Sequence, residues 1–216
     1  VMNEILERMY VGVDGDAPVA PTVRVVLIAA GHTALPFGSK MSPWGRLLDV
    51  YSSRYNVLFI VSAGNYPGPI ELDPSVDAAV LDDEVALQET VRRHLFATAH
   101  ERRLLSPADS VNALTVGALH ADSTGAPTPL GALDVLGTSV LPSPASALGG
   151  GYLRSMKPDV FADGGRVFYR HRFDRQDRVI LDVIESSDAA PGLRAAFPGR
   201  PGEVSAEGHL RGTSAA

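Results

Sequence analysis

The chain has 216 residues, 45% of them hydrophobic and 20% charged, which suits one domain with a buried core and excludes an intrinsically disordered chain. A formal net charge of −6 argues against a nucleic-acid binder, which would carry a basic face. The absence of cysteine excludes disulfides, thiolate metal sites and a cysteine nucleophile, and fits a reducing compartment.

No apolar run approaches the ~20 residues that span a bilayer, so no membrane partner is expected. The N-terminal stretch VMNEILERMY carries acidic residues and no apolar core. It reads as part of a helix rather than a secretory signal, which favours a cytoplasmic location. Both ends of the sequence read as cut points.

Residues 12–22 form a loop rich in Gly, Asp and Pro. VRVVLIAA (23–30) is a nearly continuous β-branched and apolar run, the pattern of a strand buried on both faces of a parallel sheet. The next stretch, GHTALPFGSKM, reads as loop. A helix follows from Ser42, a good N-cap, and Pro43 fits its first position. Trp44, Leu48, Tyr51 and Tyr55 recur on one face of it. NVLFIVSA (56–63) is a second buried strand, so the order is strand, helix, strand, as in a right-handed βαβ unit.

Residues 82–105 predict one long helix, with Asp82, Asp83 and Glu84 at its positive end and Arg102 and Arg103 near its negative end. Leu87, Val91, Leu95 and Phe96 form its expected buried stripe. NALTVGAL is a third apolar strand, residues 121–156 read as extended loops, and VFYRHRF with RVILDVI predicts a β-hairpin across DRQD. The fold class is therefore α/β, with a mostly parallel sheet and helices on both faces. In such sheets, ligands bind beyond the carboxyl ends of the strands, here the loops starting at AAGH, at SAGN and after VGAL.

Taken singly, SAGN, KPDVFADGG and GTSAA each have an ordinary reading: a turn, a strand edge with a turn, and a helix cap. Their order changes the reading. An Asn at a strand end can aim its amide at a developing oxyanion. A Ser at a helix N-terminus has free backbone N–H groups and a favourable dipole beside it. Gly212, Ala215 and Ala216 leave room for a substrate backbone.

This ordered set resembles the subtilisin-like serine proteases, the subtilases. SPWGRLLDVYSSRYNVLFIVSAGN is particularly similar to bacterial members. The resemblance covers residues 22–164 and 211–216. It implies an incomplete subtilisin-like catalytic domain, with residues 166–210 as an insertion carrying the hairpin. It implies that Ser214 is the nucleophile and Asn65 the oxyanion donor. It also implies that Ala29, Ala30 and Gly31, with Ser62, Ala63 and Gly64, line a cleft for an extended peptide or protein substrate.

The sequence also departs from that family. The triad there runs Asp, His, Ser along the chain, yet neither an Asp-x-Gly nor a His-Gly-Thr motif precedes the AAGH strand in these residues. The cleft triplet is Ala29-Ala30-Gly31 where the family usually has Ser-Leu-Gly. Of the six histidines only His32 and His209 are near the expected site in sequence, and neither has an evident orienting carboxylate. The arginines at 166, 170, 172, 175 and 178 alternate with Asp174, Asp177 and Asp182 and read as a solvated face. Calcium, bound by many subtilases, would draw on Asp73, Asp77, Asp82 and Asp83, but their spacing fits no calcium loop, so no cofactor is expected.

The expected activity is peptide-bond hydrolysis through an acyl-enzyme at Ser214 in a longer protein, with these 216 residues inactive alone. A non-catalytic peptide-binding or partner-binding module on the same scaffold is the alternative. A nucleotide-binding fold is disfavoured, because no glycine-rich phosphate motif follows a strand.

Overall fold

The structure, a computed structural model, describes residues 1–122, 127–184, 192–196 and 206–216. In chain order its elements are α1 (Met2–Tyr10), β1 (Val25–Ile28), β2 (His32–Pro36), α2 (Pro43–Tyr55), β3 (Leu58–Ser62) and β4 (Ile70–Glu71). After them come α3 (Glu84–Ala97), β5 (Leu105–Ser106), β6 (Leu114–Leu119), β7 (Gly149–Gly150), β8 (Met156–Lys157) and β9 (Val160–Asp163). The last four strands are β10 (Tyr169–Phe173), β11 (Val179–Val183), β12 (Leu193–Ala196) and β13 (Glu207–Leu210).

The centre is a four-stranded sheet in the order β1-β3-β6-β9, with every neighbouring pair parallel. α2 is the crossover between β1 and β3. Its first turn is fixed as the sequence predicts: Ser42 Oγ accepts the Gly45 N–H at 2.9 Å, and Pro43 occupies a position needing no N–H. Leu48 and Tyr51 are buried from α2, with Leu6 and Tyr10 from α1, against Ile28, Phe59, Val61 and Ala63 of the sheet side. Tyr10 and Tyr51 each stand about 5–6 Å, centroid to centroid, from their aromatic neighbours in a cluster with Tyr55.

The opposite sheet face differs from expectation. Val25 and Leu27 of β1 are 56% and 69% exposed, Leu58 is exposed beside Val25, and Val160 is exposed on the far edge strand. The β1 run is therefore buried on one face only. The expectation of helices on both faces is corrected by the position of α3. Leu87 and Val91 of α3 join a second core with Ile70, Val135, Leu136, Tyr169, Val179 and Leu181, around a three-stranded sheet β10-β11-β4. The predicted hairpin is present, pairing Tyr169 with Val183 through Phe173 with Val179.

Three further predictions need correction. The stretch GHTALPFG is not all loop: β2 pairs antiparallel with β5. The helix expected over 82–105 ends at Ala97, where Thr98 turns its hydroxyl back to the His94 carbonyl at 2.8 Å. Phe96 is 86% exposed rather than part of the buried stripe. Asp83 does cap α3, accepting the N–H groups of Val85 and Ala86 at 3.0 Å. Parts of the 166–210 insertion, at 185–191 and 197–205, lie outside the described residues.

The KPDV segment forms the sheet edge. The Asp159 carboxylate accepts the Thr115 N–H of β6 at 2.6 Å and the Lys157 ammonium at 2.6 Å, and Lys157 also donates to the Ala113 carbonyl. A buried lysine is tolerable here because its charge is paired and two of its three protons are bonded.

Candidate functional site

β3 is an interior strand, and Asn65 lies three residues beyond its carboxyl end. Gly64 turns the chain with φ +116°, a left-handed conformation that glycine adopts without a Cβ penalty. The sequence 148 residues further on returns to this point. Thr213, 2% exposed, donates its backbone N–H at 2.8 Å and its hydroxyl at 3.1 Å to Asn65 Oδ1. The same hydroxyl accepts the Gly64 N–H at 3.1 Å.

These contacts fix the amide orientation. Oδ1 is used as an acceptor, so Nδ2 carries the free donors, and among the described residues it has no hydrogen-bond partner. Gly212 makes the approach possible. Its φ is +104°, and a Cβ there would meet Asn65 Oδ1 at 2.7 Å. The Gly212 N–H is held by the Gly164 carbonyl at 2.7 Å, so the tail rests on the end of β9. Ala215 N–H closes a turn onto the Gly212 carbonyl at 3.0 Å.

Thr213 thus docks the tail beside Asn65. A single hydrogen-bonded turn is weak alone, but Thr213 is buried against Gly64 and Asn65. Ser214 is exposed, and its hydroxyl has no hydrogen-bond partner among the described residues.

Of the expected cleft-lining residues, Ala29, Ala30 and Gly31 are exposed. Ser62 and Ala63 are 5% and 0% exposed, and Gly64 is also buried. The Ala63 carbonyl accepts the Leu105 N–H at 3.0 Å, and the Gly64 carbonyl accepts the Ala147 N–H at 2.9 Å. Both carbonyls thus have internal partners. The Leu105 side chain sits between the two glycine segments: a Cβ on Gly31 would meet it at 3.2 Å, and one on Gly64 at 2.5 Å.

A cleft of about 390 Å³ opens here, with Thr33, Asn65, His94, Glu101, Arg102 and Leu105 among its walls. A larger cavity, about 730 Å³, lies between α1 and α2, away from Asn65. It holds no group of residues with a shared chemical purpose, so the smaller cleft is the better candidate.

Neither histidine considered from the sequence is seen to serve Ser214. His32 is exposed on β2, and His209 lies opposite Arg194 in the β12–β13 pair. A histidine with a carboxylate in hydrogen-bond reach is His120, just past the end of β6. Its Nε2 is 2.9 Å from Asp134 Oδ1, and its Nδ1 accepts the Val167 N–H at 3.3 Å. Burial pushes the Asp134 carboxyl up, but the His120 bond and the Leu136 and Gly137 N–H groups outweigh it, leaving its pKa lowered. Asp122 and Asp134 also face the Arg166 guanidinium, at 3.1 and 3.7 Å. Both His120 ring nitrogens are occupied, so this network braces the strand end.

The feature missed in the sequence is Arg102. In sequence it reads as a charge near the negative end of a helix, yet it is 8% exposed. Its guanidinium donates to the Leu95 carbonyl at 2.6 Å and to the Pro144 carbonyl at 2.9 Å. Two of the hairpin arginines are paired: Arg172 with Asp182, and Arg178 with Asp174 and Glu71. The four aspartates weighed for calcium do not converge: Asp73 holds Ser75, Asp77 caps a 3-10 turn and Asp83 caps α3. Among the described residues no group of three or more His, Asp or Glu side chains is placed to hold a metal. No described helix is long and apolar enough to cross a membrane.

The fold is α/β with a parallel central sheet, and the GTS segment meets the ends of β3 and β9 at Asn65 and Gly164. No protein family profile and no solved structure matches the chain. Over 157 residues it is 31% identical to the uncharacterized protein y4bN of Sinorhizobium fredii (strain NGR234), covering 68% of this chain and 32% of that relative. The chain thus spans about a third of the length of the curated relative it matches.

Proposed function

We propose that these residues belong to a subtilisin-like serine endopeptidase, with Ser214 as nucleophile and Asn65 as oxyanion donor. The observation that carries this is the meeting of the SAGN and GTS segments. Thr213 locks the Asn65 carbonyl oxygen, which leaves Nδ2 free to donate, one residue before Ser214.

In this reading the Ser214 hydroxyl attacks the scissile carbonyl of an extended peptide. Charge develops on the carbonyl oxygen, and Asn65 Nδ2–H stabilises it together with the Ser214 backbone N–H. Donors held in place before the reaction need no reorganisation as charge forms, which is why the Thr213 lock matters. The proton from Ser214 must pass to a histidine held by a carboxylate. No described histidine is seen to approach Ser214, so the reading assigns both groups to sequence outside these 216 residues.

The alternative, a peptide-binding module without catalysis, is favoured by that same lack of a base beside Ser214. Hydrolysis separates the two. A longer natural form carrying Asp-x-Gly and His-Gly-Thr motifs should cleave a fluorogenic peptide, and its Ser214→Ala variant should not. The 216-residue chain alone should stay at background. Peptide binding without cleavage by the longer form would establish the module instead.

A further inference from the structure

Arg102 is a buried cation whose Nε–H is unused. Of its five guanidinium N–H groups, NH1 and NH2 supply bonds to the Pro144 and Leu95 carbonyls, while Nε is buried and has no partner. The Leu95 bond satisfies a carbonyl in the last turn of α3, so part of this arrangement is structural. Neutral carbonyls do not balance its charge, and among the described residues no carboxylate is ion-paired with it. Buried charges are ordinarily paired, and buried N–H groups ordinarily bonded.

Its location gives the missing partner a route. Arg102, Leu95 and Pro144 all line the cleft that begins at Asn65 and has Leu105 in its wall. The other titratable groups there do not cancel its charge. Glu101 has a side chain 67% exposed, paired at 4.0 Å with His100, so water screens it. Burial lowers the pKa of His94, keeping it neutral at pH 7. Burial also lowers that of Arg102, the same desolvation that an incoming carboxylate would offset.

We propose that the cleft beside Asn65 takes an acidic side chain of an extended peptide, and that Arg102 reads its carboxylate. A planar guanidinium suits this better than a point charge, because its fork matches two carboxylate oxygens. Binding would need the Arg102 side chain to shift enough to open Nε to the cleft. The role in substrate choice rests on the endopeptidase reading, whereas the binding itself does not.

The test is a titration of this chain labelled with 15N-arginine, following the Nε–H resonances with three blocked peptides. The first is acetyl-Ala-Ala-Asp-Ala-amide, the second has Asn for Asp, and the third is acetyl-tetra-alanine with a free C-terminal carboxylate. The Arg102→Lys variant assigns the Arg102 signal. The expected result is that the Asp peptide shifts that signal and binds at least about tenfold more tightly than its Asn counterpart, a charge-assisted bond's worth of discrimination. Arg102→Lys should keep the fold, checked by thermal melt, and lose most of the preference. Equal affinities for Asp and Asn, or an Arg102 signal that does not move, would overturn the proposal. So would a response confined to the free C-terminus. Ser214→Ala should leave the preference intact. If the preference holds and the longer form hydrolyses nothing, the endopeptidase reading fails alone. If the longer form hydrolyses peptides and the preference is absent, the Arg102 proposal fails alone.

Discussion

Thr213 donates its backbone N–H, at 2.8 Å, and its hydroxyl, at 3.1 Å, to one atom, Oδ1 of Asn65. Two segments 148 residues apart are thereby joined where the central strand ends. Because the hydroxyl also accepts the Gly64 N–H, one buried side chain satisfies groups on two consecutive residues. The isosteric Thr213→Val keeps the backbone bond and orphans the Gly64 N–H. It should cost about 1–3 kcal/mol in urea unfolding, the penalty for a buried unsatisfied group. Thr213→Ser, which retains the hydroxyl, should cost clearly less. Equal midpoints for the two variants would mean that the hydroxyl is not engaged.

Gly64 and Leu105 make a second coupled pair. A Cβ at Gly64 would stand 2.5 Å from Leu105 Cγ, at a φ of +116°. Gly64→Ala should therefore destabilise through both overlap and backbone strain, the latter about 1–2 kcal/mol. Adding Leu105→Ala should remove the Cγ and Cδ1 overlap and leave the 2.8 Å approach to Cβ and the strain, so the double variant should be more stable than the sum of the singles. Strict additivity in a double-mutant cycle would contradict the packing described.

The His120–Asp134 network has a pH signature. The folded-state pKa of Asp134 is lowered. Its contribution to stability is thus fully present above the unfolded-state carboxyl value, about 3.9. It is lost as pH falls through the lower folded-state value. In thermal melts from pH 7 downwards, the wild type should lose stability on that acid limb. Asp134→Asn should be less stable at neutral pH and show a shallower acid limb. An unchanged limb in Asp134→Asn would place the acid sensitivity elsewhere.

Much of the site was legible because its signals are local. Asn65 follows a run of five strand residues, and Ser42-Pro43 is a cap with a mechanism of its own. What escaped depends on distant partners. β2 is exposed at every position and pairs with a strand only two residues long, so it has no periodicity to read. The apolar run of β1 looks the same whether one face or both are covered, and here Val25 and Leu27 stay open. Arg102 and Leu105 continue the helical pattern of α3, and only the early stop at Ala97 turns them inward to the cleft. The docking of Thr213 has no local signal, because its partners lie 148 and 149 residues away.

The central claim is that Ser214 is a nucleophile served by Asn65. The direct measurement is intact-mass and peptide mapping, after reaction with a fluorophosphonate probe, of a form of the protein that carries Asp-x-Gly and His-Gly-Thr segments. The account predicts one adduct per molecule, on Ser214 and absent in Ser214→Ala. The rate should fall by about 10²–10³ in Asn65→Ala, the usual effect of losing one oxyanion donor. No adduct on Ser214, or the same labelling rate with and without the Asn65 amide, would contradict it.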